Sequence, residues 1–165
     1  SKALEQTMRK TVEFHARTEQ TFYGTKYEGR QSVRFIRDDA LNAISPFRID
    51  FGRDYGAFEV SPAQAYRHAL HYRAALNGGL SCKTLEIGDG ALLRAWRMPA
   101  ERGRPSTAPE LMMLPSTAPH LPDLRFDMDQ LERVFEFVAD FVNSYMHQMQ
   151  FRRDRAPNWY GPAMT

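Results

Sequence analysis

The chain has 165 residues, of which 42% are hydrophobic and 25% charged, proportions typical of one globular domain with room for an appended arm. There are 22 Lys and Arg residues and 20 Asp and Glu residues, and the resulting net charge of +2 excludes a strongly basic nucleic-acid-wrapping protein and an acidic mimic. Of the basic residues, 18 are Arg, which suits phosphate recognition and base stacking but also follows from a GC-rich coding sequence.

The single cysteine, Cys82, excludes an internal disulfide and a cysteine-based metal site, which fits a reducing compartment. The chain has no apolar run long enough to cross a membrane, and its first residues lack the apolar stretch of a signal peptide. It also lacks a glycine-rich phosphate loop. We therefore expect a cytoplasmic protein without a membrane span and without a cofactor.

The first fifty residues carry two competing patterns. Leu4, Met8 and Val12 are spaced by four, which favours a helix over residues 2–11, whereas Val12, Phe14 and Ala16 alternate with polar residues as in a strand. We expect a helix followed by an extended segment. Alternating apolar residues then predict a hairpin with strands at 47–51 and 57–60.

A short helix and a second hairpin follow. Ser61, Pro62 and Gln64 form a capping box with proline at the first helical position, and the helix is expected to end near Asn77, before two glycines. Segments 80–87 and 91–98 flank a Gly-Asp-Gly turn, which predicts a hairpin.

Residues 100–124 contain five of the ten prolines and repeat the motif Pro-Ser-Thr-Ala-Pro, so we expect an extended arm. The apolar run 111–114 between the repeats is expected to dock, either on its own domain or on a neighbouring subunit. The last helix begins at Asp127 with Gln130 as its capping partner, and its apolar face is wide enough to be buried on more than one side.

These elements predict an α+β fold in which two β-hairpins flank a short capped helix and a long C-terminal amphipathic helix packs on the sheet. The expected organisation is a core at residues 1–99, a Pro-rich arm at 100–124, a helix completing the core at 125–155 and a tail at 156–165.

Catalytic and metal-binding residues are weakly indicated. His68 and His71 lie three apart on one helix and could approach one ion, but a zinc site needs at least one further ligand. No nucleophile elbow and no clear pair of acid–base carboxylates is present. We expect no catalytic site and no metal, and a small His-dependent enzyme is the least favoured alternative.

Basic residues interleaved with aromatics are the strongest functional signal. A capped basic helix followed by a basic hairpin has the order of a recognition helix and a wing, and aromatics beside arginines could instead stack on unpaired bases. The sequence therefore predicts a non-enzymatic DNA- or RNA-binding or regulatory accessory protein, related to phages or mobile elements. The predicted contact residues are Arg34, Arg37, Arg67, His71, Arg73, Lys83, Arg94, Trp96 and Arg97.

The main alternative is a self-assembling structural or protein-interaction subunit. Its support comes from the Pro-rich arm with its apolar run and from the three–four spacing of apolar residues in the last helix. Self-association is accordingly expected through the C-terminal helix or through the arm.

Overall fold

A computed structural model describes residues 8–40, 43–78, 82–103 and 107–152. In these ranges the chain forms eight strands and two helices, and each half of the chain consists of four strands followed by a helix. The elements are β1 (Arg9–Phe22), β2 (Thr25–Asp38), β3 (Phe47–Asp50), β4 (Ala57–Glu59), α1 (Pro62–Leu76), β5 (Lys83–Gly88), β6 (Ala91–Met98), β7 (Glu110–Pro115), β8 (Leu124–Asp127) and α2 (Met128–Arg152).

All eight strands belong to one antiparallel sheet in the order β4-β3-β2-β1-β8-β7-β6-β5. The sheet curls into a nearly closed barrel whose concave face holds the two helices. The predicted fold class, two hairpins flanking a short helix with a long helix on the sheet, is therefore wrong. The prediction missed the pairing of β1 with β8, which joins the two halves through partners more than 100 residues apart, Arg17 and Arg125.

The two edge strands, β4 and β5, approach each other at one end. A Cβ atom added at Gly88 would meet the carbonyl oxygen of Glu59 far inside van der Waals contact, so only glycine permits this approach. Gly88 also has a φ of +101°, a conformation that costs other residues energy. Farther along β5, α1 covers the open edge, and the imidazole of His68 bonds the backbone oxygen of Glu86.

The first two strands form a hairpin of 14 residues on each side, closed by Tyr23 and Gly24 with φ values of 50° and 79°. Positive φ at both turn positions matches the twist that a two-residue hairpin loop requires. The helix expected over residues 2–11 is wrong from Arg9 onward, and its first residues lie outside the described ranges. The strand pattern prevails over the helix pattern here, because the alternating side chains of Val12, Phe14 and Ala16 point into the core.

Part of the predicted Pro-rich arm is a strand of the sheet. Leu111 and Met113 of β7 are fully buried on the concave face, and β7 pairs with β6 and β8. The apolar run therefore packs within its own chain. Prolines did not prevent this, because Pro109 precedes the strand and Pro115 is its last residue.

The core lies between the concave face and α2. The rings of Phe47 and Phe141 of α2 pack in a tilted arrangement with centroids 4.8 Å apart, and Phe14 meets Phe35 edge to face at 5.9 Å. The apolar stripe of α2 is buried in this core: Leu131, Val134, Val138, Phe141 and Val142. These residues pack inside the molecule, and self-association through the C-terminal helix or the arm stays a prediction. The predicted tail, 156–165, lies outside the described residues.

Several local predictions are confirmed. The first predicted hairpin is β3 and β4, and the second is β5 and β6. Both capping boxes form, with Gln64 on the Ser61 backbone and Gln130 on the Asp127 backbone.

In the described part of the chain, neither helix is both long and apolar enough to cross a bilayer.

Candidate nucleic-acid interface

The convex face of the β5–β6 hairpin presents a stacked pair of side chains. The guanidinium of Arg94 lies 4.6 Å from the ring centroid of Trp96, and its Nε donates to Sγ of Cys82 at 3.4 Å. Both side chains are on this face because residues two apart in a strand share a face. Arg94 is exposed and Trp96 is half-buried, so the pair is accessible from solvent.

Two further basic residues lie at the same, open end of this hairpin. Lys83 is exposed at the start of β5 and is paired in register with Ala95. Arg97 extends beneath the end of α1, where its Nη1 is 3.6 Å from the position that a Cβ of Gly78 would occupy. A guanidinium at this position is favourable, because the carboxyl end of a helix carries partial negative charge.

His71 connects α1 to this end of the hairpin. It is 6% exposed and bonds the backbone of Ala95, and both its burial and the nearby charge of Lys83 lower its pKa. Its Nε2 is buried without a hydrogen-bond partner, as is Nε of Arg97. Arg67 lies one helical turn before His71 and is exposed on the same side of α1.

We call Arg67, Lys83, Arg94 and Arg97, together with Trp96, the basic patch. Arg94 and Trp96 lie on the convex face of the sheet, whereas Lys83 and Arg97 are in phase with the core-facing Ala95 and lie on the side of α1, so the patch extends around the end of the hairpin. Among the described residues, none of the four cations has a carboxylate within ion-pair distance. Asp123 is the acidic group that acts on Arg94 from farther away, and burial raises its pKa while Arg125 and Arg94 oppose that rise. The patch thus carries four positive charges, on α1, β5 and β6, that form no ion pair within the described residues.

Three other predicted contact residues lie elsewhere. Arg34 is on the convex face of β2 and bonds Asp50 at 2.7 Å. Arg37 lies on the opposite face, is 3% exposed, and bonds Asp39 and Asp140. The structure therefore gives Arg37 a role inside the fold and removes it from any solvent-facing interface.

Arg73 is exposed but points to the other side of α1 from His71. It lines a groove of about 140 Å³ between the two helices, with Tyr66 and Phe135. It is consequently separated from the basic patch by the width of the helix.

The predicted recognition helix and wing correspond to α1 and the β5–β6 hairpin. The face of α1 that carries Ala65, Ala69 and Tyr72 is buried against the sheet and α2, so the helix does not project from the molecule. The hairpin lies behind the helix as part of the barrel wall. The opposite side of α1 exposes Arg67 and Arg73.

His68 is a fully hydrogen-bonded core residue. Its Nε2–H donates to the backbone oxygen of Glu86 and its Nδ1 accepts from the hydroxyl of Tyr72, each at 3.0 Å. Burial lowers the pKa of His68 to about 4, so the imidazole is neutral at neutral pH. Both ring nitrogens are occupied, and no group of three or more His, Cys, Asp or Glu side chains in the described ranges is placed to hold a metal.

The structure also presents aromatic residues that were not among the predicted contacts. Phe22, Tyr23 and Tyr27 are 53%, 107% and 55% exposed at the tip of the β1–β2 hairpin, and the rings of Phe22 and Tyr27 are 6.0 Å apart. The signal available in the sequence was the Tyr-Gly pair between two alternating segments, which marks a hairpin turn.

Comparison with known proteins gave no significant match to a family model, a curated protein or a solved structure.

Proposed function

We propose that this chain is a non-enzymatic accessory protein that binds single-stranded nucleic acid through the basic patch and Trp96. The observation that carries the proposal is the exposed Arg94–Trp96 pair on β6, with Lys83 and Arg97 at the same end of the hairpin and Arg67 on α1; among the described residues, none of these cations has a carboxylate at ion-pair distance. Cations already paired within the protein gain little from a phosphate, whereas unpaired ones release counterions from the nucleic acid.

The position of Trp96 favours single strands over duplexes. Proteins that bind single strands combine a basic track for the backbone with aromatic rings on which the bases stack. Trp96 and Arg94 offer such a platform on the convex face, whereas α1 is packed against the sheet and α2 along one face and, over its described residues, carries no exposed aromatic platform beside its arginines. The cytoplasmic location expected from the single cysteine remains a prediction.

Fluorescence anisotropy with a labelled mixed-sequence oligonucleotide, as a single strand and as a duplex, tests the proposal over a series of salt concentrations. We expect tighter binding of the single strand and a logarithmic loss of affinity with salt, with a slope of about −0.7 per phosphate contact. Replacing Lys83 and Arg94 by Gln should weaken binding and reduce the magnitude of this slope.

A matched control removes the same two charges elsewhere, by Lys26→Gln and Arg34→Gln. Both residues are exposed and engaged in ion pairs, with Glu19 and Asp50 respectively. The control should bind nearly as the parent does. Absence of binding at low salt, or equal losses in the two variants, would refute the proposal, and preference for the duplex would contradict the single-strand assignment.

A further inference from the structure

The outer part of the β1–β2 hairpin leaves a strand edge free. Residues 34–37 of β2 pair with β3, whereas residues 25–33 pair only with β1. Residues 20–30 are all exposed, and no other described strand lies along this edge. An uncovered edge of this length is a template for pairing with another strand.

The direction of the free backbone groups follows from the turn. Phe22 and Thr25 close a two-residue loop, and such a closing pair exchanges its hydrogen bonds across the hairpin. Because the direction alternates along a strand, Lys26, Glu28 and Arg30 direct their backbone N–H and C=O groups away from β1. These three residues therefore provide the hydrogen bonds for any added strand.

Arg30 lacks a counter-charge. It lies directly opposite Arg17 in the β1–β2 register, a like-charged pair that disfavours the sheet. Arg17 has Glu19 and Glu110 as ion-pair partners and also Glu28, at 3.8 Å, whereas Arg30 donates a 3.5 Å hydrogen bond to the backbone oxygen of His15. Within the described residues, Arg30 has no carboxylate at ion-pair distance.

We propose that two copies of this chain pair antiparallel along this edge, with Gly29 of one copy opposite Gly29 of the other. This register places Glu28 of each copy opposite Arg30 of the second copy. Glu28 is also 3.8 Å from Arg17 of its own chain, but Arg17 keeps the closer Glu19 and Glu110, so Glu28 can serve Arg30 of the second copy. The two Glu28–Arg30 pairs also supply four backbone hydrogen bonds. At the centre, the absence of a side chain on Gly29 lets the strands approach closely.

Other registers are less favourable. A pairing centred on Glu28 would put the two Glu28 side chains opposite each other and Lys26 opposite Arg30. Both pairs carry like charges and would repel. A pairing centred on Tyr27 would use Lys26, which already bonds Glu19 at 3.2 Å, and would leave Arg30 without a carboxylate. The charge pattern therefore selects the register centred on Gly29.

The interface is small and two-fold symmetric. It closes on itself, so it produces a dimer rather than a filament. Contacts confined to one strand edge bury less area than a permanent dimer does, and we expect a dimer whose population depends on protein concentration.

Analytical ultracentrifugation of the full chain and three charge variants tests this proposal. The parent should dimerise as concentration rises. Glu28→Arg and Arg30→Glu should each reduce dimerisation, because each places like charges opposite each other, and the double variant should restore it. Arg30→Glu keeps the monomer folded, since it sets a carboxylate opposite Arg17.

A parent that stays monomeric at all accessible concentrations would overturn the proposal, as would a dimer that neither single variant weakens. Failure of the double variant to restore dimerisation would overturn the Gly29 register, since the Tyr27-centred pairing cannot be rescued in this way. Circular dichroism of each variant confirms that the comparison is between folded chains.

Discussion

The guanidinium of Arg94 lies over the indole of Trp96, 4.6 Å from the ring centroid, on the convex face of the barrel. A cation so placed holds the ring in a fixed orientation while leaving part of it open to solvent. The arrangement combines a flat surface for a base with a charge for the adjacent phosphate.

Binding of a single-stranded oligonucleotide should quench the fluorescence of Trp96, because a stacked base lies against the indole. The second tryptophan, Trp159, is replaced by Phe so that Trp96 is the only emitter. A Trp96→Phe chain that retains Trp159 is the control and should be quenched little. Quenching confined to that control would place the bound strand at the tail and contradict the assignment to Trp96.

The hydrogen bond from the Tyr72 hydroxyl to Nδ1 of His68 should contribute measurably to stability. Both residues are fully buried, and Tyr72→Phe leaves the Nδ1 acceptor without a donor. We expect a loss of about 1–3 kcal/mol in the free energy of unfolding, measured by urea denaturation. Tyr23→Phe, which changes an exposed hydroxyl, should have almost no effect. Equal stability of the Tyr72 variant and the parent would contradict this role.

The buried histidines should make the protein less stable below neutral pH. The pKa of His68 falls from 6.5 to about 4 on folding, and burial also lowers that of His71. Between pH 6.5 and about pH 4 the unfolded chain binds more protons than the folded one. The free energy of unfolding is therefore unaffected by the histidines above about pH 6.5 and decreases as the pH falls towards about 4. The shift of His68 corresponds to roughly 3 kcal/mol.

Urea denaturation at about pH 7 and about pH 5 measures this dependence, in a range where most carboxylates are still ionised. His68→Gln removes one of the two titrating groups and should reduce the difference between the two conditions. A difference unchanged in the variant would show that His68 does not cause the acid sensitivity.

Gly88→Ala should open the junction between β4 and β5. The added methyl group would collide with the carbonyl oxygen of Glu59, and φ of +101° is strained for alanine, so we expect a loss of about 3 kcal/mol or more. Gly90→Ala is the matched control, since Gly90 has φ of +76° but open space around it, and should cost only about 1–2 kcal/mol. Thermal or urea unfolding compares the two, and equal losses would exclude the steric explanation.

The elements predicted correctly are those specified by neighbouring residues. The capping boxes at Ser61 and Asp127 join residues three apart, and the Asp89-Gly90 turn is closed by strands directly beside it. The pairing of β1 with β8 could not be predicted in this way. It depends on partners that meet only when the barrel forms.

The surroundings of the candidate functional residues also depend on contacts between distant residues, which the sequence pattern does not show. Arg34 and Arg37 are three apart in one strand, so they lie on opposite faces of the sheet, and only the fold shows which face is the core. Arg37 is neutralised by Asp140, 103 residues away. Charge clustering along the sequence located the β5–β6 hairpin, but only the fold shows that its cations have no carboxylate at ion-pair distance among the described residues.

The junction of β1 with β8 also has a consequence for synthesis of the protein. The first half of the chain, through α1, can form its four-stranded meander early, but the edge of β1 stays unsatisfied until residue 125 has left the ribosome. Barrel formation therefore waits for the slowest class of contact, one between segments distant in the chain. During that interval the nascent chain exposes an apolar sheet face, and this period is when it is most open to chaperones and to aggregation.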